Sequence, residues 1–205
     1  MEEEEPIKVI LLGESGVGKT NLINIVTGFQ FNEAEASTGT SSFSDKMLTV
    51  NANKYPIKLW DTIGQEKLRH LTKLFYNNSK IVIFVYDITR KDTFKEINNY
   101  WIKSVEENLG KKIIRGIVAN KIDLFQNEQV TEEEGEEYAK SIGAQFIMTS
   151  AKTDGPSKFE GFLTKLYEQY LNANGANPNE SKDSKNIVLD PKKNTGGGGK
   201  GKKCC

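Results

Sequence analysis

The body of this chain contains no cysteine; the only two are its last residues, Cys204 and Cys205, in a sequence of 205. A disulfide framework is therefore excluded, and the cysteine-free body fits a reducing compartment. Net charge is absent too, 28 Lys and Arg being balanced by 28 Asp and Glu. Without a basic or acidic excess there is no footprint for nucleic acid and no trap for acidic substrates. Long apolar runs are missing: the longest, IVIFVY at 81–86, falls far short of the roughly 20 residues that span a membrane. The opening MEEEEP lacks the apolar stretch of a secretory signal. These absences leave the expectation of a soluble cytosolic protein, long enough for one domain with a real core.

Apolar residues become scarce after Leu171. The segments NANGANPNESKDSKN and PKKNTGGGGKGKKCC cannot bury enough surface to offset the entropy of ordering them. The chain thus divides into an acidic extension, 1–6, a domain, 7–172, and a flexible tail, 173–205. Within the domain, IKVILL (7–12), IVIFVY (81–86), IRGIVA (114–119) and AQFIM (144–148) read as strands buried on both faces. Residues 43–50 and 57–60 read as a hairpin turning at NANK, with Pro56 tolerable where the second strand begins. Phe94, Ile97, Trp101 and Val105 recur at helical steps, as do Phe159, Phe162, Leu163, Leu166 and Tyr170. This alternation predicts an α/β fold, a mostly parallel sheet with helices on both faces. Ligands of such folds bind beyond the carboxyl ends of the strands.

Four loops at those ends carry chemistry. After the first strand comes GESGVGKT, Gly13 to Thr20, a phosphate-loop pattern leading into the helical stripe Leu22, Ile23 and Val26. Its backbone N–H groups turn inward on phosphate oxygens at a helix amino end. Lys19 is expected to reach the β- and γ-phosphates, and the Thr20 hydroxyl to ligate Mg2+. After the fifth strand comes NKID, Asn120 to Asp123. A carboxylate at Asp123 accepts two parallel hydrogen bonds from guanine, a pair of donors adenine lacks, and discrimination of that kind reaches about 10⁴–10⁵. After the sixth comes TSAK, Thr149 to Lys152, placed to bring a backbone N–H to the guanine oxygen. The fourth loop is DTIGQE, Asp61 to Glu66. There Asp61 can hold a Mg2+-bound water, the Gly64 N–H can sense a γ-phosphate, and the Gln65 amide can orient an attacking water.

Residues 7–171 resemble a small GTPase of the Ras superfamily, and WDTIGQE, VYDIT, NKID, TSAK and the final CC are together similar to the Rab branch. The resemblance implies a single P-loop domain with a six-stranded sheet, and a cycle between GTP and GDP with Mg2+ as cofactor. Ser15, Gly16, Val17, Gly18, Lys19, Thr20 and Asn21 are then the phosphate-side contacts. Asn120, Lys121, Asp123, Ser150, Ala151 and Lys152 are the base-side ones. Phe31 is expected edge-on to the guanine, and Thr38 as the second Mg2+ ligand with an N–H for the γ-phosphate. Two nucleotide-responsive segments, 29–43 and 61–76, are implied as the surfaces for effectors, with an exchange factor and a GTPase-activating protein as further partners.

The chain departs from that pattern in three places. GTSSF, Gly39 to Phe43, replaces something like IGVDF, which implies an unusual partner set and a looser first segment, Gly39 adding backbone freedom. Glu35 stands where the family closes a tyrosine over the phosphates, and its carboxylate would be repelled there. Ile63 stands for Ala; its stiff β-branched side chain crowds the backbone ahead of Gly64, so γ-phosphate sensing or hydrolysis is expected to be altered. A nucleotide-holding scaffold with impaired hydrolysis is therefore the alternative to a cycling switch; a Ras-type signalling GTPase is another. The single histidine, His70, is expected to face a partner or solvent. Residues 29–43 hold no Lys or Arg, so no arginine acts there in cis. The unaided rate is then expected nearer about 10⁻⁴ s⁻¹ than about 10⁻² s⁻¹.

The terminal cysteines have three chemistries open to them. The tail lacks the partners of a metal site, and adjacent cysteines bond awkwardly. Lipid remains, and the terminal pair is similar to the Rab site for two geranylgeranyl groups, distinct from a C-a-a-X box. Two chains anchor stably where one does so marginally, and Lys200, Lys202 and Lys203 add attraction to an anionic leaflet. The expectation is a monomer on the cytoplasmic face of an intracellular membrane, with a cytosolic pool held by a prenyl-carrying, GDI-type chaperone.

Overall fold

The computed structural model describes residues 5–33, 42–62 and 73–175. Six strands form one sheet in the order β2-β3-β1-β4-β5-β6. They are β1 (Ile7–Leu12), β2 (Ser42–Val50), β3 (Asn53–Asp61), β4 (Ser79–Asp87), β5 (Ile114–Asn120) and β6 (Gln145–Met148). β2 runs antiparallel to β3, and every other pair is parallel. The α/β class, the six strands and the mostly parallel sheet agree with the sequence reading.

β1 lies at the middle of the sheet and is apolar on both sides for a reason visible in its neighbours. Val9 and Leu11 pack with α1 (Lys19–Val26) and α4 (Pro156–Ala173) through Leu22, Ile23, Phe159, Phe162, Leu163 and Leu166. Ile10 and Leu12 face the opposite layer, with Ile97, Trp101 and Val105 of a helix over 91–109 (α2) and Ala139 of α3 (Glu132–Ser141). Burying an aliphatic or aromatic side chain of this size contributes about 1.5–3 kcal/mol, so β1 is held from both faces. Its carboxyl end is a firm base for a loop.

α2 runs through Lys91–Glu96, a π-helical turn at Ile97–Trp101 and then Ile102–Leu109. α3 starts at a capping box: the Thr131 hydroxyl accepts from the Glu134 N–H while the Glu134 carboxylate accepts from the Thr131 N–H. β3 begins at Asn53, earlier than the sequence suggests, so Pro56 lies inside it opposite Met47. It is tolerated because β1 joins only from Ile57 onward. At Pro56 the strand has β2 as its one ladder neighbour, and no bond to β1 needs the missing N–H.

Among the described residues no helix is long and apolar enough to cross a membrane. Glu35, Thr38, Gly39, Ile63, Gly64, Gln65, His70, Cys204 and Cys205 lie outside the described residues, as does the tail from 176 on.

Candidate functional site

β1 delivers the chain into Gly13–Thr20 at the carboxyl edge of the sheet. Gly13 has φ 149°, and a Cβ there would run into the Val85 carbonyl of β4. Gly18 has φ 97°, and a Cβ there would strike the Asn120 side chain. Both glycines are required by close approach as well as by backbone conformation. Lys19 opens α1 and folds back under the loop, its Nζ donating to the carbonyls of Gly13 at 2.9 Å and Glu14 at 3.0 Å. Burial pushes the Lys19 ammonium down to about 8, and nearby Asp61 and Glu14 offset part of that depression. A cation so poorly solvated is set to bind an anion.

Two contacts brace the outside of this loop. Arg90 Nη2 donates to the Ser15 carbonyl at 2.9 Å, and Trp101 Nε1 donates to Glu14 Oε1 at 2.9 Å. The π turn in α2 carries that tryptophan, consistent with the placement of such turns at functional sites.

The loops after β5 and β6 are tied to the first. Asn120 Nδ2 donates to the Val17 carbonyl at 2.7 Å, and its Oδ1 accepts from the Ala151 N–H at 3.1 Å. One N–H and one lone pair of that amide remain for a ligand. Ser150 Oγ donates to Asp123 Oδ1 at 2.5 Å. Asp154 fixes the last loop by accepting from the Ser150 N–H at 3.0 Å and the Thr149 hydroxyl at 3.1 Å. Lys121, with φ 69°, sends its ammonium to Asp87 at 2.7 Å. Burial alone would raise the Asp87 carboxyl, but Lys121 and Thr89 outweigh it and hold Asp87 below the ordinary range.

Thr20 Oγ1 donates to Asp61 Oδ2 at 2.7 Å. A hydroxyl and a carboxylate, both hard oxygen donors, suit Mg2+, which keeps several waters and takes few protein ligands. No group of three or more His, Cys, Asp or Glu able to hold a metal occurs among the described residues. Thr38, the other expected ligand, is outside the described residues.

On the opposite side, Phe31 packs against the core and Lys152 stands 5.9 Å from its ring centroid. Lys152 also pairs with Glu33 at 3.2 Å. Ser15, Gly16, Val17, Gly18, Lys19, Thr20, Asn21, Phe31, Asp61, Asn120, Lys121, Asp123, Ser150, Ala151 and Lys152 therefore belong to one linked rim. Asp87, Arg90, Trp101 and Asp154 were missed by sequence reasoning. VYDIT signalled Asp87 only as a motif, and nothing local signals the others.

Beside this rim lies an aromatic face. The Phe43 and Trp60 rings are 5.3 Å apart, and Trp60 and Phe75 are 5.7 Å apart. Lys58 Nζ lies 4.2 Å from the Phe43 centroid and Lys8 Nζ lies 4.0 Å from that of Trp60. Half of Phe43 is exposed.

The Ras family model matches residues 8–170. The chain is 36% identical over 208 residues to the Ras-related protein Rab-21 of Homo sapiens, covering 97% of this chain and 90% of that protein. It is 42% identical over 145 residues to Rab-21 of Geodia cydonium, covering 71% of this chain and 63% of that one. It is 35% identical over 164 residues to the Ras-related protein RABC1 of Arabidopsis thaliana, covering 78% and 77%.

Proposed function

The chain belongs to the Ras family as a small GTPase of its Rab branch, and from that premise we propose a membrane-anchored switch cycling between GTP and GDP in vesicle traffic. The observation that carries the reading is the tie between the phosphate loop and both base loops through Asn120, Val17 and Ala151. A single ligand reaching from Lys19 to Asp123 touches all of them at once.

In this reading the backbone N–H groups of Ser15 to Asn21 and the Lys19 ammonium hold the phosphates. Asp123 takes the guanine edge, Ala151 offers its N–H to the guanine oxygen, and Phe31 lies against the ring. Thr20, Asp61 and Thr38 hold Mg2+, which neutralises phosphate charge when bound. Gly64 senses the γ-phosphate and Gln65 orients the water that attacks it. Hydrolysis is slow, and an activating protein supplies the missing positive charge. The GTPase domain spans 7–172. The tail, 173–205, carries lipid at Cys204 and Cys205 and lets the domain stand on the order of 30 Å from an anionic membrane.

Effectors and the exchange factor read 29–43 and 61–76, and the aromatic face of Phe43, Trp60 and Phe75 supports an effector surface there. A GDI-type chaperone carries the lipidated protein, as a monomer, between cytosol and membrane.

The test is uptake of GDP, GTP and ATP by nucleotide-stripped protein with Mg2+. Guanine nucleotides are expected to bind and ATP to bind on the order of 10⁴-fold more weakly; no uptake of either guanine nucleotide overturns the reading. Single-turnover phosphate release by wild type and Ile63→Ala separates the cycling switch from the nucleotide-holding scaffold, which a large gain on substitution would favour.

A further inference from the structure

Asn21 follows Thr20, and its side chain reaches the backbone of Asn32. It lies at the start of α1 and is 8% exposed. Its Nδ2 donates to the Asn32 carbonyl at 3.0 Å, and its Oδ1 accepts from the Asn32 N–H at 2.9 Å. One primary amide thus pairs with both backbone groups of one residue 11 positions away, as a strand neighbour would. Only Asn, at this reach, carries donor and acceptor side by side.

The clasped backbone sits between Phe31, packed on the core, and Glu33, paired with Lys152 of the TSAK loop. The short segment 31–33 is therefore a strap fixed to α1 at one side and to the base loop at the other. The two fixings are unequal. The Lys152–Glu33 pair is solvent-exposed, with 46% and 80% of the two side chains accessible, and pairs of that kind hold weakly. The Asn21 clasp, two hydrogen bonds from a buried side chain to the backbone of exposed Asn32, is the stronger hold on the strap.

We propose that Asn21 is a positioning residue for nucleotide retention: through Asn32 it keeps the Phe31 strap against the base side of the site and so sets how slowly guanine nucleotide leaves. The inference rests on the GTPase reading above. It assigns the Asn21 side chain a task separate from any contact its backbone N–H makes with phosphate. Opening the strap must break both bonds together, whereas arrival of nucleotide at an open strap breaks neither. Loss of the clasp should appear in departure far more than in arrival.

The experiment uses the full chain loaded with fluorescent-labelled GDP and Mg2+, chased with excess GDP. Asn21→Ala is expected to release about tenfold faster, two hydrogen bonds each contributing a factor of a few, with its association rate constant within about twofold of wild type. Asn21→Asp keeps the acceptor but sets a carboxylate against the Asn32 carbonyl, so it should release no more slowly than Asn21→Ala. In wild type bound to GDP, hydrogen exchange at the Asn32 amide should be strongly protected, a readout that needs no variant to fold.

Release from Asn21→Ala at the wild-type rate overturns the inference. So does wild-type retention by Asn21→Asp, or an Asn32 amide that exchanges like an open loop. Failure of wild type to take up GDP at all overturns the GTPase reading and the clasp with it, whereas the other three results leave that reading standing.

Discussion

The side chain of Asn120 donates to the Val17 carbonyl at 2.7 Å across 103 positions of sequence, joining the end of β5 to the phosphate loop. With its oxygen also accepting from the Ala151 N–H, this one amide spaces three loops. Asn120→Asp retains the acceptor but turns a carboxylate oxygen toward the Val17 carbonyl. A buried polar group left unpaired costs about 1–3 kcal/mol. Asn120→Asp is therefore expected to lower the melting temperature of nucleotide-free protein and to raise the GDP dissociation rate at least tenfold. An unchanged melting temperature in the empty state would mean that Asn120 serves the ligand alone.

Lys19 gives a pH dependence with a definite sign. Burial depresses it to about 8, and phosphate oxygens placed beside it favour the ammonium and raise it again. Below about 8 Lys19 is already charged and binding adds no proton to it. Above that value binding must take up one, so GDP affinity is expected to fall up to about tenfold per pH unit until the bound-state value is reached. Calorimetric titrations of GDP between pH 7 and 9.5 in buffers of different ionisation enthalpy measure both the slope and the proton uptake. A flat affinity over that range refutes the assignment.

The centre of the sheet was legible because β1, β4 and β5 bury both faces; β2 and β6 do not. IKVILL coincides with β1 (Ile7–Leu12), and IRGIVA ends one residue short of β5 (Ile114–Asn120). α3 (Glu132–Ser141) was not legible: in EEEGEEYAKS only Gly135 and Ala139 are buried, so there is almost no apolar stripe to read. The turn at Gly13–Thr20 was legible because its glycines mark positions of positive φ and close approach. The Arg90–Ser15, Trp101–Glu14 and Asn21–Asn32 contacts were not, since they depend on where a distant segment ends up. Trp101 read correctly as core from its helical spacing; that its indole N–H reaches Glu14 follows only from the packing of α2.

The buried face of α3 supports a matched pair of substitutions with opposite signs. A Cβ at Gly135 would lie 2.5 Å from the Tyr86 hydroxyl oxygen and 2.8 Å from the Phe146 ring, whereas a Cβ at Gly161 in α4 meets nothing within 4 Å. Replacing Gly by Ala inside a helix gains about 1 kcal/mol, but overpacking costs about 1–3 kcal/mol. Gly161→Ala is expected to raise the melting temperature by about 2–4 °C, and Gly135→Ala to lower it. Thermal unfolding of the GDP-bound protein decides; equal shifts of one sign would show that the Tyr86 and Phe146 side chains yield freely.

Thr20 and Asp61 allow Mg2+ to be tested without observing it. Thr20 Oγ1 is 2.7 Å from Asp61 Oδ2, so the hydroxyl at the helix start and the carboxylate ending β3 face the same point beside the phosphate loop. An ion held there ties GDP to both elements, and chelation should release that tie. Wild type loaded with labelled GDP is therefore expected to lose it on the order of tenfold faster in EDTA than in Mg2+. Asp61→Ala should already release faster in Mg2+, and EDTA should add little, because one of the two ties is gone before chelation begins. The comparison is a double-mutant cycle with the ion as one partner, and its non-additivity is the quantity of interest. Equal acceleration by EDTA in both proteins would place the ion away from Asp61 and leave that carboxylate as a scaffold for the Thr20 hydroxyl.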